Sequence, residues 1–471
     1  MTITHNYADS LSSLGQVITP TPLKEMQLAF FNASLAREIG LDKHIDSSET
    51  LLPWLLSPVT PLTKKAFAQK YGGHQFGQWN PDLGDGRGLL LCEVANSQGE
   101  ITDLHLKGAG PTPYSRHADG RAVLRSTLRE YIGSEALHYL GIPSSRSLAM
   151  FTSGETVYRE QPEMGAMMIR TAPSHLRFGH FEYFYHSRQT DRLNALFDFA
   201  FTYHYPQCKH ADNPHKAMLK AIVLRTARMI ALWQTHGFVH GVMNTDNMSI
   251  HGITFDYGPY AFIDNYKADA VFNHSDYSGR YAFNQQPGIA LWNLNALAHA
   301  FSPFVSIEEI KETLSLFETT FISQYQKAMT ERMGLPATQE GVGLMQEFIA
   351  MIEDEQQDYT LSFRRLALSL SQQTQSQLPI RDFFVNREKF DSWYTAYQGA
   401  VVNLDTLAFN PSFIPRTHIL QQAIEHAENG DLTLAQQVLK ASSTPYDARW
   451  DNDDIAMPPK NSHQVSLSCS S

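Results

Sequence analysis

Early in the chain apolar residues come in short runs, and later they recur at helical spacing. The run Leu89-Leu90-Leu91-Cys92-Glu93-Val94, a polar turn around Asn96 to Gly99, and Leu104-His105-Leu106-Lys107 predict a hairpin of two strands. Over residues 121–140 the apolar positions are Val123, Leu124, Leu128, Tyr131, Ile132, Leu137 and Leu140, closed by Gly141 and Pro143. That spacing predicts one amphipathic helix of about five turns. Residues 164–170 read as a further strand, and beyond them helical periodicity dominates, most clearly over 224–236, 289–299 and 306–333. The pattern predicts an α+β fold: a small strand-rich lobe over residues 1–170, a larger helical lobe over 171–441, and an irregular tail over 442–471, rich in Pro, Asp, Asn and Ser.

With 471 residues, 42% of them hydrophobic, the chain can bury a large core. Its formal charge of −11, from 37 basic and 48 acidic residues, opposes whole-molecule attraction to nucleic acid or to an anionic membrane. Any anion it binds must therefore meet a local basic cluster. The first ten residues carry neither a secretory nor a transit pattern, and no apolar run approaches the roughly 18 residues that span a bilayer. A monomeric cytoplasmic protein is the expectation. Cys92, Cys208 and Cys469 are widely spaced, which fits a reducing compartment and argues against a cysteine zinc site.

The segment Pro81-Asp82-Leu83-Gly84-Asp85-Gly86-Arg87-Gly88 sets glycines at alternate positions before a strand, where bare backbone can approach a phosphate and Arg87 can grip it. Lys107 ends a predicted strand, and Glu130 lies mid-helix where it can project back toward it; Glu135 is expected to face another side. A strand lysine paired with a helix glutamate is the phosphate-binding pair of protein kinases. The stretch His240-Gly-Val-Met-Asn-Thr-Asp-Asn247, followed by Asp256-Tyr257-Gly258, matches the kinase catalytic loop and metal-binding turn in outline. Asn247 and Asp256 offer the oxygen ligands that a hard cation such as Mg²⁺ prefers. Val242, however, stands where a kinase has its catalytic aspartate, which leaves Asp246 as the nearest carboxylate to act as general base. Arg170 and Arg177 complete a cationic set with Arg87 and Lys107. A zinc site of His236, His240 and His251 is disfavoured, because no Glu follows His236 and two glycines weaken the helix.

Taken together, Tyr71-Gly-Gly-His-Gln-Phe-Gly77, Gly84-Asp-Gly-Arg-Gly88, Leu106-Lys-Gly-Ala-Gly-Pro-Thr-Pro-Tyr-Ser-Arg116, His117-Ala-Asp-Gly-Arg121, His240 to Asn247 and Asp256-Tyr-Gly-Pro-Tyr260 resemble the selenoprotein O family over nearly the whole chain. The resemblance implies a bilobal protein-kinase-like fold that binds ATP in a flipped orientation and transfers AMP, or UMP from UTP, to Ser, Thr or Tyr of proteins. It implies nucleotide contacts from Gly84, Gly86, Arg87, Lys107, Asp119, Gly120, Arg170, Arg177 and Asp256. Glu130 becomes the partner of Lys107, Asn247 and Asp256 the ligands of Mg²⁺ or Mn²⁺, and Asp246 the proton acceptor. Relatives with a redox-sensitive bridge pair a cysteine in the loop after Asp256 with one near the C-terminus; here that loop carries Phe272. The alternatives are a kinase-like phosphotransferase acting on a small molecule, against which Val242 stands, and an inactive ATP-binding scaffold, which has no need of Lys107, Asn247, Asp256 and a spare carboxylate together.

Overall fold

The computed structural model describes residues 2–42, 45, 47–371, 380–459 and 467. Ten strands form one antiparallel sheet: β1 (Thr2–Thr4), β2 (Gly15–Val17), β3 (Gln27–Phe31), β4 (Phe67–Gln75), β5 (Gln78–Gly84), β6 (Gly88–Ala95), β7 (Ile101–Lys107), β8 (Ala122–Val123), β9 (Arg146–Tyr158) and β10 (Pro162–Ala172). Their order is β2-β4-β6-β7-β10-β9-β3, with β1 on β6, β5 on β4 and β8 on β10. Past Ala172 the described strands are β11 (Phe238–Val239) and β12 (Ala261–Phe262), and the rest is mostly helix. The class is α+β, with the large sheet confined to the first part of the chain.

The predicted hairpin is β6–β7, paired from Gly88 opposite Lys107 to Ala95 opposite Ile101 with one shift of register between Leu90 and Cys92. The predicted helix starts at Leu124 because Ala122 and Val123 pair with Gly165 and Ala166 as β8. Sequence periodicity missed β9. Its residues Arg146 to Phe151 are all buried, so no polar alternation marks it as a strand. The helix read over 224–236 is longer, Pro214–His236: the Asn213 side chain caps it by accepting from Lys216 N at 3.0 Å, and Pro214 opens it without a wasted donor. Helix Ile307–Met333 starts at the reciprocal Ser306 and Glu309 cap, and helix Gln286–Ala298 covers the remaining predicted span.

Helix Leu124–Tyr139 is buried almost all round, between β9 and β10 on one side and helices Thr417–Glu428 and Thr433–Ser442 on the other. It therefore belongs to the interior, and its polar residues need partners there. Of the span read as an irregular tail, the described residues 443–459 hold only short helical turns, and they are packed and not loose. Trp450, Ile455 and Ala456 are buried, and Arg364 forks onto Asp451 at 2.6 and 2.9 Å. Leu467 is buried too, and its carbonyl accepts from His274 N at 2.9 Å. Cys469 lies outside the described residues. No helix among the described residues is long and apolar enough to cross a membrane.

Candidate active site

A cleft of about 480 Å³ opens between the end of the sheet and the loops that follow β11. Gly84, Gly86 and Arg87 reach it from the β5–β6 turn, Lys107 from the end of β7, Asp119 and Gly120 from the loop before β8, Arg170 from β10, and Arg177 from the turn before helix Phe178–His186. Val242, Asp246, Asn247 and Asp256 close the opposite wall. Of the residues picked from the sequence, Glu130 alone does not line the cleft; it stands behind Lys107, fully buried.

These side chains are linked by charge. Lys107 Nζ donates to Glu130 Oε2, and Arg170 Nη1 donates to Glu130 Oε1 at 3.1 Å and to Asp256 Oδ1. Arg177 donates to Asp256 Oδ2 and, at 2.6 Å, to the Asp246 carbonyl. The guanidinium of Arg177 also lies between the rings of Tyr71 and Phe255, 4.9 and 4.7 Å from their centroids. Lys107, Arg170 and Arg177 thus share two carboxylates, and exposed Arg87 adds further positive charge at the mouth. A site built this way suits a polyanion. Glu135, as expected, faces elsewhere, binding Arg146 through two hydrogen bonds of 2.9 and 2.8 Å.

The two aspartates are tuned in opposite directions. Burial works against ionising Asp256, but Arg177 and then Arg170 outweigh it and hold the carboxyl well below the usual carboxylate range. Asp256 also sits at φ 63°, a left-handed conformation that a non-glycine residue adopts only when its surroundings impose it. Burial of Asp246 wins over the nearby Arg177 and pushes its carboxyl up to about 7. Its Oδ2 accepts only a long 3.4 Å hydrogen bond from Gln75 Nε2, and its buried Oδ1 has no hydrogen-bond partner among the described residues. Asp246 lines the cleft, and its orphaned oxygen lacks the proton donor or cation that a buried carboxylate calls for.

The donor set fits a hard divalent cation. Asn247 Nδ2 donates to the Val242 carbonyl at 3.0 Å, which leaves its Oδ1 as the ligand atom of that amide. Each oxygen of Asp256 keeps a second lone pair beside its arginine, and Asp246 Oδ1 adds a third source of oxygen. His236, His240 and His251 do not gather into a metal-binding group among the described residues. His240 instead stacks on Trp233 and bonds the Phe255 carbonyl at 3.1 Å, fixing the two loops against each other.

The end of β4 supplies what sequence reasoning left without a role. His74 N donates to Thr245 Oγ1 at 2.7 Å, Phe76 N to Asn244 Oδ1 at 3.2 Å, and Gln75 reaches Asp246, so the run from Tyr71 to Gly77 lies over the catalytic-type loop. A Cβ on Gly73 would stand 2.7 Å from Asp246 Oδ1, closer than atoms pack, so only glycine fits. Gly120 has φ 67°, and a Cβ there would meet the Gly110 carbonyl at 2.0 Å. Asp119, beside it, is gripped at the rim by both terminal nitrogens of Arg159, each at 2.9 Å. The Tyr71–Gly77 run was visible in the sequence; its contact with a loop about 170 positions later in the chain was not.

This fold and cleft are those of a transferase family. The sequence profile described as protein adenylyltransferase SelO matches residues 1–443. A protein of Pseudoalteromonas atlantica named protein nucleotidyltransferase YdiU is 47% identical over 482 residues, covering all of both chains. Its namesakes in Erwinia tasmaniensis, 43% identical over all of both chains, and Vibrio vulnificus, 44% identical over 99% of this chain and 98% of that one, are similar to it as well. The chain belongs to the SelO family, and it is a nucleotidyl-transferring enzyme.

Proposed function

We propose that this chain binds ATP in the cleft together with Mg²⁺ or Mn²⁺ and transfers AMP to the hydroxyl of Ser, Thr or Tyr in protein substrates, on a bilobal protein-kinase-like frame. UTP in place of ATP gives UMP transfer by the same chemistry. The observation that carries the reading is the meeting of Arg170 and Arg177 on Asp256, with the poorly partnered carboxylate of Asp246 alongside and Val242 in the wall. The acceptor oxygen attacks the α-phosphorus and its proton passes to Asp246, whose pKa of about 7 suits a base working near neutral pH. The bond from the α-phosphorus to the bridging oxygen breaks, and its electron pair leaves with pyrophosphate. Negative charge grows on that leaving group in the transition state, and Lys107, Arg170, Arg177 and Arg87 are the groups that bind it more tightly as it grows. The backbone at Gly84, Gly86 and Gly120, with Asp119, borders the nucleotide. A divalent cation held by Asn247 and Asp256 neutralises phosphate oxygens.

Glu130 is a positioning residue in this scheme: it keeps buried Lys107 charged although burial lowers the pKa of the lysine. The net charge of −11, with the basic groups gathered in the cleft, supports an enzyme that works on proteins and on neither nucleic acid nor membrane. ATP labelled at the α- or the γ-phosphate tests the proposal directly. Label from the α-position should enter the protein acceptor and label from the γ-position should appear in pyrophosphate; incorporation of γ-label alone would refute nucleotidyl transfer in favour of phosphotransfer.

A further inference from the structure

The turn of β4 that covers Asp246 has a second face, and that face is occupied by groups the transfer chemistry does not use. His74, in β4, meets Glu182 and His186 of helix Phe178–His186. Glu182 and His186 are four residues apart, so they stand one turn apart on the same side of that helix, opposite His74. Ligand atoms of the three residues all lie within 4.8 Å of one another. Glu182 is completely buried; its Oε2 lies 2.5 Å from His74 Nδ1, and its Oε1 has no hydrogen-bond partner among the described residues. A buried carboxylate with an unpaired oxygen is costly, which calls for a cation or donor at that point. Trp79 and Trp292 wall the group, with ring centroids 5.1 and 5.2 Å from that of His74, while His186 opens to solvent. His186 ends the helix, where free carbonyls favour positive charge.

We propose that His74, Glu182 and His186 bind one divalent transition-metal cation of the zinc class, at a site separate from the oxygen-rich nucleotide cleft. Two imidazoles and one carboxylate with a solvent-accessible fourth position form a donor set that suits Zn²⁺, whereas Asn247 and Asp256 suit Mg²⁺. The bound cation ties β4 to the helix. Both flank the cleft: the His74 amide bonds Thr245 next to Asp246, and Arg177, just before the helix, bonds Asp256. The three ligands are thus positioning residues, and their cation braces the loop that carries Asp246.

The test uses the full chain stripped of metal, with Co²⁺ as the spectroscopic probe and Zn²⁺ as competitor, in excess Mg²⁺. One equivalent of Co²⁺ should give visible d–d absorption, Zn²⁺ should displace it, and Zn²⁺ should raise the melting temperature. Loss of outer partners alone costs about 10–100-fold in metal affinity, so removing a direct ligand in His186→Ala should cost more than about 100-fold and abolish the Zn²⁺ stabilisation. His186 is exposed, so this variant keeps its fold, which circular dichroism checks. Asp256→Asn should bind Co²⁺ as the parent does. Absence of a one-equivalent Co²⁺ spectrum, an unchanged affinity in His186→Ala, or loss of the spectrum in Asp256→Asn would each overturn the site. None of these readouts depends on which nucleotide the cleft takes.

Discussion

At the scale of single residues, Asp246 and Asp256 differ in charge state because their surroundings differ, and the proposed scheme gives them different tasks. Asp256 meets two buried arginines and stays ionised to well below the usual carboxylate range, so no titration of Asp256 limits activity at moderate pH. Asp246 is buried with little to stabilise its charge, and only its ionised form can take a proton. The activity kcat/KM should therefore rise with pH and level off above an apparent pKa of about 7, since this ratio reports the free enzyme. A profile flat from pH 6 to 8 would mean that Asp246 does not act as the base. Replacement of Asp256 has a second consequence. Asp256→Ala should abolish transfer, and it also leaves Arg170 and Arg177 without their shared carboxylate, a loss on the order of 3 kcal/mol for a largely buried ion pair. Chemical denaturation should show that loss, and Asp256→Asn, which keeps the shape and a hydrogen-bond acceptor, should show less of it.

At the scale of elements, the site depends on one strand end pressing on one loop. β4 reaches across to Asn244, Thr245 and Asp246, and helix Phe178–His186 packs close behind, with Gly179 so near the Gly72 carbonyl that a Cβ would stand 2.1 Å from it. Two glycines thus let strand, helix and loop meet at backbone distance. Gly73→Ala should push Asp246 aside and lower kcat by on the order of 100-fold, the usual scale for a displacement of about an ångström, while the thermal transition moves little. Wild-type turnover in that variant would mean that the loop yields without consequence. The hairpin β6–β7 and helix Leu124–Tyr139 were legible in the sequence because local turn chemistry and periodicity define them. β9 and β4 were not, because burial on both faces, or glycine-rich backbone, erases the pattern that marks a strand.

At the scale of the whole molecule, the tail returns to the neighbourhood of the cleft. Leu467 is buried, its carbonyl accepts from both the amide and the ring Nδ1 of His274, and neighbouring Asn273 donates to the Gly241 carbonyl of the loop that carries Asp246. The expected absence of a bridge at Phe272 therefore does not leave that loop unattended: apolar burial and backbone hydrogen bonds fasten the tail there. Cys92 and Cys208 are both buried, and burial raises the pKa of each thiol, which makes them poor nucleophiles. Activity should be unchanged by dithiothreitol, and Leu467→Asp should speed hydrogen exchange at the His274 amide. Activation by reductant, or exchange at His274 indifferent to Leu467→Asp, would mean that the tail is held in another way.

The sequence by itself determined the family, the α+β class and a set of residues of which all but Glu130 line the cleft, because glycine spacing, the Lys107 and Glu130 pair and the Asp246-Asn247 and Asp256 motifs are local and chemically distinctive. Only the tertiary structure decided how those charges share partners: that Arg170 joins Glu130 to Asp256, that Asp246 is left almost without a hydrogen bond, and that β4 lies over its loop. It also decided that His74 meets Glu182 and His186, more than a hundred positions away. The reason is physical. Residue type and spacing record what a segment can do locally, whereas burial and long-range pairing, which set pKa values and ligand groups, exist only once distant segments are packed together.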